Sequence, residues 1–206
     1  MSTEFLPLPK YDPSLKIDTK SSTYQPIVWI DCEMTGLDVF NDHIIEIACI
    51  ITDGDLNIVD PGYESVVHCD KSIMDQMNEW CISHHGASGL TDKVINSTKV
   101  HSEVETELLS YIQKFTNKGT AVLAGNTVHM DRIFLYREFP KIVDWLHYRI
   151  IDVSSFRELG HRHNKNMMQN CPRKREAHTA MSDILESIAQ MKWLRDNYLI
   201  GPNETK

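Results

Sequence analysis

Four acidic residues and one histidine occur in an order that suits the binding of divalent cations. In chain order they are Asp31, Glu33, Asp131, His178 and Asp183. The first two lie in the apolar run 27–38, whose β-branched residues predict a buried strand. Side chains two apart on a strand share one face, so both carboxylates should project together from a hydrophobic sheet.

Two carboxylates buried side by side are costly unless cations neutralise their charge. Hard divalent ions with oxygen ligands are the usual solution, and Mg²⁺ or Mn²⁺ paired over a phosphate is the usual purpose. The sequence therefore predicts a two-metal site for phosphate chemistry. The alternative is a displaced strand assignment, in which the two acidic residues lie at the surface or cap a helix.

The three later residues are predicted to lie near the beginnings of helices. Asp131 falls about one turn into a helix, where the dipole favours a carboxylate. His178 and Asp183 are five residues apart, about 140° round an ideal helix, and cannot both point inward from its middle. The conflict disappears if His178 lies in the preceding loop or first turn, a position that suits a general base, with Asp183 as a metal ligand. Taken alone, Asp131 and His178 would each be more typical of an exposed surface position.

Length and composition predict one globular domain. The chain has 206 residues, of which 41% are hydrophobic, enough for a sizeable core. No apolar stretch approaches the length of a membrane span. The 5 cysteines show no paired ligand spacing, which is typical of buried thiols in a reducing compartment rather than of zinc sites or disulfides.

The charge of the chain bears on its partners. A net charge of −8 disfavours a protein that grips long nucleic acid through the phosphate backbone. An acidic protein can still handle a short oligonucleotide if metals and a few local cations meet the phosphates. The basic residues between positions 157 and 175 form either a solvated loop or a phosphate-facing one.

The two ends of the chain differ in composition from its middle. The first 24 residues are polar and contain proline, which predicts a flexible N-terminal arm, and they lack the pattern of a mitochondrial presequence. We expect this arm over residues 1–24, one domain over residues 25–200 and a C-terminal tail over residues 201–206.

The order of predicted elements indicates an α/β fold. The first strand is predicted within the run 27–38, before a turn at residues 35–38, and further strands are predicted at residues 43–52, 56–68, 119–125 and 149–153. The first three follow one another in antiparallel succession, and helices then alternate with the last two. This order predicts a mixed five-stranded sheet flanked by helices in a single domain.

Several helix boundaries can be predicted as well. Ser102 with Glu105 forms the pattern of a capping box, and Ser154 is expected to cap the helix after the fifth strand. Residues 163–174 lack periodicity and are expected to form a loop, followed by a final helix over residues 176–198.

Six blocks of sequence resemble one family of nucleases in the same order. They are WIDCEMTGLD (29–38), HIIEIACIITD (43–53), ASGL (87–90), AGNTVHMDRIFL (124–135), HYRIIDVSS (147–155) and AHTAMSDILESI (177–188). The blocks around Asp31, Asp131 and His178 resemble the three exonuclease motifs of the DEDD superfamily, in its histidine subclass with the ribonuclease H-like fold. Over about residues 27–199, the chain resembles the oligoribonucleases.

The resemblance implies a 3′-to-5′ exoribonuclease that degrades short oligonucleotides, dinucleotides above all, to 5′-monophosphates. By position, two Mg²⁺ or Mn²⁺ ions would be held by Asp31, Glu33, Asp131 and Asp183. Asp31 would bridge both ions. His178 would take a proton from the water that attacks the phosphorus in line, and an ordinary histidine pKa near about 6.5 suits that task near neutrality.

The resemblance also implies contacts to the two bases of the substrate. Leu37 would wedge against one base and Trp80 would stack on the other, although Trp80 could instead anchor its helix in the core. Met34 and Thr35 would flank the 3′ nucleotide. His85 would contact a phosphate or ribose.

A further set of residues resembles the family's cap on the 5′ phosphate. It comprises Ser154 with His147, Tyr148 and Arg149, and a second subunit contributes to it. A blocked 5′ end would explain a preference for very short chains. The resemblance therefore implies a homodimer, and because eukaryotic relatives are often mitochondrial we expect a mitochondrial location, with the cytoplasm as the alternative.

Two other functions compete with this one. A DEDD exonuclease acting on DNA ends or structured RNA tails would need an open, more basic groove, which the charge and the HYR–Ser154 block disfavour. A non-catalytic RNA-binding protein on the same fold would be expected to lack a metal ligand or the histidine, and here all of them are present.

Overall fold

The fold is built on one mixed sheet in a computed structural model that describes residues 4–173 and 179–199. Its strands are β1 (Ile27–Met34), β2 (Ile44–Thr52), β3 (Tyr63–Val66), β4 (Val122–Gly125) and β5 (Ile150–Asp152). Their order is β3-β2-β1-β4-β5. The first three pair antiparallel, and β4 pairs parallel with both β1 and β5. The predicted mixed five-stranded sheet is confirmed.

Helices follow β3 and alternate with the last two strands. They are α1 (Lys71–Met74), α2 (Glu79–Ala87), α3 (Leu90–Asn96), α4 (His101–Gln113), α5 (His129–Glu138), α6 (Pro140–Trp145), α7 (Val153–His163), α8 (Lys165–Gln169) and α9 (Ala180–Leu194), with a π-helical turn over Arg195–Leu199. Within the described part of the chain, none of these helices has the length and apolar character needed to cross a bilayer.

Alternation along β1 separates two hydrophobic clusters on the two faces of the sheet. Val28, Ile30 and Cys32 belong to the cluster that includes residues of α4, α5 and α6. Ile27 and Trp29 belong to the cluster that includes residues of α7 and α9. Because side chains two apart share a face, the next residues of the second series, Asp31 and Glu33, project toward the side covered by α9.

Several predicted boundaries are wrong. The third strand covers only Tyr63–Val66 and not residues 56–68. The first turn of α4 is capped by Glu103, which accepts the Val100 N–H at 3.1 Å, whereas Glu105 accepts the backbone N–H of Lys141 at 2.7 Å. The cap of α7 is Asp152, not Ser154, as described below. Part of the predicted 163–174 loop is instead the helix α8. The sequence did not predict this helix, since five residues are too few to show a hydrophobic repeat.

The predicted N-terminal arm is attached to the domain near its beginning. The Leu6 N–H donates to the Arg173 carbonyl oxygen at 3.1 Å, and the Arg173 N–H donates to Glu4 at 3.0 Å. The Leu6 side chain is buried. Flexibility of the remaining arm and the domain boundaries at residues 24 and 200 stay predictions, and the predicted tail over residues 201–206 lies outside the described residues.

Candidate active site

β1 and β2 place a pair of acidic residues opposite small and acidic neighbours. In their antiparallel register, Asp31 faces Ala48 and Glu33 faces Glu46. A bulge follows directly, between Glu33 and Met34. Bulges bend a strand and re-aim its side chains, and they are frequent beside active sites.

The first turn of α9 brings a third carboxylate to this pair. Thr179 caps the helix by accepting the Ser182 N–H at 3.3 Å, and Asp183 follows in the first turn. One carboxylate oxygen each from Asp31, Glu33 and Asp183 lie within 4.8 Å of one another. Three hard oxygen ligands at this spacing fit a shared divalent cation.

The fourth predicted ligand, Asp131, lies beside this group. It stands in the first turn of α5 and is buried, and its Oδ1 accepts the backbone N–H of Cys32 at 3.0 Å. Because Cys32 lies between Asp31 and Glu33 in β1, this bond fixes α5 against the acidic pair. Burial raises the pKa of Asp131 from 3.8 to about 7, although the Cys32 N–H opposes the shift.

The electrostatics of the group also fit a cation. Burial, followed by the charges of Asp183, Glu46 and Asp131, raises the pKa of Glu33 from 4.5 to about 8. A group of carboxylates with such pKa values holds protons unless a positive charge replaces them. Divalent cations can supply that charge, so the donor set suits a metal centre.

Glu46 is part of this environment, although the sequence did not single it out. It is buried, and Oε2 accepts the backbone N–H of Ala180, the first residue of α9, at 3.4 Å. The contact joins β2 to the helix that carries Asp183. A buried acidic residue inside the apolar run 43–52 was the available signal, but its partner lies 134 residues away.

The predicted general base cannot be placed. His178 lies outside the described residues, which resume at Thr179. The five residues 174–178 also include the end of the basic segment. The role of His178 therefore stays a prediction from the sequence.

The two residues predicted to contact bases are both exposed. Leu37 is 68% exposed and Trp80 is 65% exposed, so Trp80 does not anchor its helix in the core. The indole stacks on the ring of His84 at 4.3 Å, which restricts its orientation. Their binding of bases stays a prediction.

Thr35, Met34 and His85 instead make internal contacts. The Thr35 hydroxyl donates to Asp42 at 2.8 Å and is buried. Nε2 of His85 lies 2.9 Å from the Met34 carbonyl oxygen, and Nδ1 lies 3.9 Å from Glu33. Only 1% of His85 is exposed, and burial lowers its pKa. Of the three residues, His85 lies beside a member of the acidic group, Glu33. The predicted contacts of Met34, Thr35 and His85 to substrate stay predictions.

Ser154 lies at the wall of a cavity of about 820 Å³. Its backbone N–H donates to Asp152 at 3.0 Å, which makes Asp152 the cap of α7. The Ser154 hydroxyl oxygen accepts the Thr127 N–H at 2.9 Å. Thr127 has a φ of +55°, which is unusual for a β-branched residue, and also lines the cavity. The sequence did not single out Thr127.

The other predicted cap residues lie just before β5. Tyr148 is exposed, stacks on His147 at 4.4 Å and has the Arg149 guanidinium 5.0 Å from its ring centre. The Ser154 cavity is lined by Thr127, His129, Asp152, Ser154, Arg157 and their neighbours. His147, Tyr148 and Arg149 do not line it, so the structure of one chain does not bring the predicted cap together.

Comparison with known proteins identifies relatives of the whole domain. Residues 28–191 match the model of the family described as Exonuclease, RNase_T. The chain is 56% identical over 197 residues to the mitochondrial oligoribonuclease of Saccharomyces cerevisiae, covering 92% of this chain and 73% of that one. It is 44% identical over 176 residues to the human mitochondrial oligoribonuclease, covering 85% and 74%.

A bacterial relative and a solved structure extend the comparison. The oligoribonuclease of Haemophilus ducreyi is 41% identical over 175 residues, covering 85% of this chain and 95% of that one. The crystal structure of E. coli Exonuclease I in complex with a dA16 oligonucleotide has a TM-score of 0.66 and 15% identity over 85% of this chain. This chain spans 42% of that structure, and at this identity the likeness concerns the fold.

Proposed function

Because the chain belongs to the exonuclease family, and within it to the oligoribonucleases, we propose that it completes the hydrolysis of very short RNA. It is a metal-dependent 3′-to-5′ exoribonuclease, and its products are 5′-monophosphates. The observation that supports this most directly is the convergence of Asp31, Glu33 and Asp183 within 4.8 Å. Dinucleotides are its proposed principal substrate.

The proposed cofactors are two Mg²⁺ or Mn²⁺ ions. Asp31, Glu33, Asp131 and Asp183 would hold them, with Asp31 shared between both. When bound, such ions activate water and stabilise the charge that develops on the attacking and leaving oxygens. The carboxylates contribute by lying on two strand positions and two first helical turns, which fixes their spacing before substrate arrives.

His178 is the proposed general base. It would accept the proton of the attacking water at an imidazole nitrogen, while Asp183, in the first turn of α9, stays fixed.

Exposed apolar side chains would hold the bases of a short substrate. Leu37 and Trp80 offer surfaces that accept any base by stacking or wedging, which suits an enzyme without sequence preference. Met34 and Thr35 would flank the 3′ nucleotide, and His85 would contact a phosphate or ribose. With the bases held in this way, few phosphate contacts are required, which fits the acidic net charge of −8.

The 5′ end would be closed by Ser154 together with a second subunit. Tyr148 and Arg149 are exposed and His147 is partly buried, and none of the three lines the Ser154 cavity in a single chain. In the proposed homodimer, the partner's copies of these residues complete the cap. A cap at this position leaves no exit for a longer chain, and so selects dinucleotides.

We propose that the enzyme acts in mitochondria. The relatives from Saccharomyces cerevisiae and Homo sapiens are both mitochondrial oligoribonucleases. Cytoplasmic action is the alternative, and fractionation of cells that express the tagged chain separates the two.

A cleavage assay tests the proposed activity. The protein is incubated with Mn²⁺ and either a 5′-labelled dinucleotide or a labelled 20-mer, with and without chelator, and Asp31→Asn serves as the inactive control. We expect rapid cleavage of the dinucleotide, slow cleavage of the 20-mer and no cleavage with chelator. Equal turnover of both substrates would favour an open-groove nuclease, and no turnover would favour a non-catalytic binding protein.

A further inference from the structure

Arg137, in the last turn of α5, forms hydrogen bonds with the loop that carries Leu37. Its guanidinium group donates to the carbonyl oxygens of Val39 and Asp42. These two carbonyls belong to residues 35–43, the connection between β1 and β2, here called the 35–43 loop. A planar guanidinium can meet two acceptors at once, which an ammonium group cannot do with the same geometry.

The next residue, Glu138, holds the end of the same loop. One carboxylate oxygen accepts the Ile44 N–H at 2.8 Å, and the other lies 2.8 Å from Nδ1 of His43. Nε2 of His101, on α4, lies 3.2 Å from Oε2 of Glu138. Burial alone would raise the pKa of Glu138, but His101, Ile44, His43 and Arg137 together lower it to about 2. The carboxylate therefore stays charged at neutral pH.

Contacts within the 35–43 loop complete its support. The Asp42 carboxylate accepts the Thr35 hydroxyl and the Asp38 N–H, both at 2.8 Å. A Cβ at Gly36 would collide with this carboxylate, so the close approach requires glycine. The hydrogen bonds of the loop thus involve its polar groups, whereas the Leu37 side chain remains 68% exposed. These hydrogen bonds restrain the backbone of the loop, while its apolar residue Leu37 is exposed to solvent.

The two ends of α5 thus serve two parts of the site. Its first turn carries Asp131, which is bonded to β1 through the Cys32 N–H at 3.0 Å. Its last turn carries Arg137 and Glu138. We infer that Arg137 and Glu138 are positioning residues, and that α5 acts as a spacer fixing the distance from the metal site to the base contact at Leu37.

This inference rests on the proposed function, because Leu37 matters only if it contacts a base. A substrate of two nucleotides has a fixed distance between its scissile phosphate and its bases. A rigid spacer would favour that distance and lower the entropy lost on binding. Loss of the spacer contact should therefore weaken binding of the dinucleotide more than it slows the chemical step.

The variants Arg137→Ala and Arg137→Lys test the inference, with Lys118→Ala as a control. Lys118 is an exposed cation whose ion pair with Asp144 lies outside this network. Five quantities are measured: amide hydrogen exchange of the 35–43 loop, Mn²⁺ affinity, dinucleotide affinity of the metal-free protein, KM and kcat. Arg137→Lys retains the charge, and serves as the readout if Arg137→Ala lowers the melting temperature throughout the domain.

We expect faster exchange in the loop, and about a tenfold rise in KM and dissociation constant for the dinucleotide. Mn²⁺ affinity and kcat should stay within about twofold. Unchanged affinity for the dinucleotide, with or without faster exchange, overturns the inference, as does an equal loss of Mn²⁺ affinity. If the wild-type protein cleaves no dinucleotide, the proposed function fails, whereas loop exchange and dinucleotide affinity still decide whether Arg137 positions the loop.

Discussion

Glu46 lies directly opposite Glu33 across the β1–β2 pair, and its carboxylate accepts the N–H of Ala180 at the beginning of α9. One side chain therefore touches the helix that carries Asp183 and faces the strand that carries Glu33. Groups of this kind, behind the ligands of a metal, orient those ligands and tune their charge.

Replacing Glu46 should weaken metal binding. Glu46→Ala removes the acceptor for Ala180, and we expect the dissociation constant for Mn²⁺ to rise about 10- to 100-fold. Glu46→Gln keeps an oxygen acceptor and should lose less affinity for Mn²⁺ than Glu46→Ala does. Titration calorimetry provides the measurement, with Glu107→Ala, an acidic residue paired with Lys99 at the surface, as the control. Wild-type affinity in Glu46→Ala would contradict a role for this residue.

The stability of the metal-free protein should fall as pH rises. The pKa of Glu33 is about 8 in the folded protein, above its ordinary value of 4.5. The folded state therefore binds this proton more tightly than the unfolded state does, and the resulting stability, present below about pH 4.5, is lost as pH rises to about 8. Asp131, whose pKa is raised to about 7, acts in the same direction.

Thermal unfolding between about pH 5 and pH 8.5, with chelator and with Mn²⁺, measures this effect. We expect the melting temperature of the metal-free protein to decrease over this range and Mn²⁺ to restore it at high pH. Glu33→Gln should show a shallower decrease. A metal-free protein that becomes more stable toward pH 8.5 would refute the assigned burial of charge.

His178→Ala should separate proton transfer from metal binding. If His178 is the general base, its loss costs about 10²–10⁴-fold in kcat while Mn²⁺ affinity is retained. Asp31→Asn is the matched comparison, because loss of a metal ligand should reduce both kcat and Mn²⁺ affinity. Single-turnover cleavage of a dinucleotide and Mn²⁺ titration are the measurements. Retention of full activity in His178→Ala would assign the base elsewhere.

Trp80→Ala should raise KM with little change in stability. Stacking on an aromatic side chain is worth about 1–3 kcal/mol per base, which corresponds to a rise in KM of about 5- to 150-fold. Because Trp80 is exposed, the free energy of unfolding should change by less than about 0.5 kcal/mol. Trp80→Phe retains a stacking face, and its KM should lie between those of the wild-type protein and of Trp80→Ala. An unchanged KM in Trp80→Ala would remove this residue from the substrate site.

The sequence by itself determined the α/β class, the mixed sheet and the candidate ligands. Asp31 and Glu33 share a face because alternation is a local property of a strand, and this holds wherever the strand packs. Asp131 and Asp183 stand in first helical turns, where the dipole favours acidic side chains in any context. Local rules were enough for these residues.

Only the tertiary structure decided which side chains meet across the sheet and between helices. The partnership of Glu46 with Ala180 depends on the strand register, and the grip of Arg137 on Asp42 depends on how α5 packs. Capping shows the same limit, because either Asp152 or Ser154 could satisfy the local rule at the start of α7. The Ser154 hydroxyl oxygen instead accepts the N–H of Thr127, 27 residues away in the chain. Long-range contacts of this kind produce no periodic pattern in a sequence.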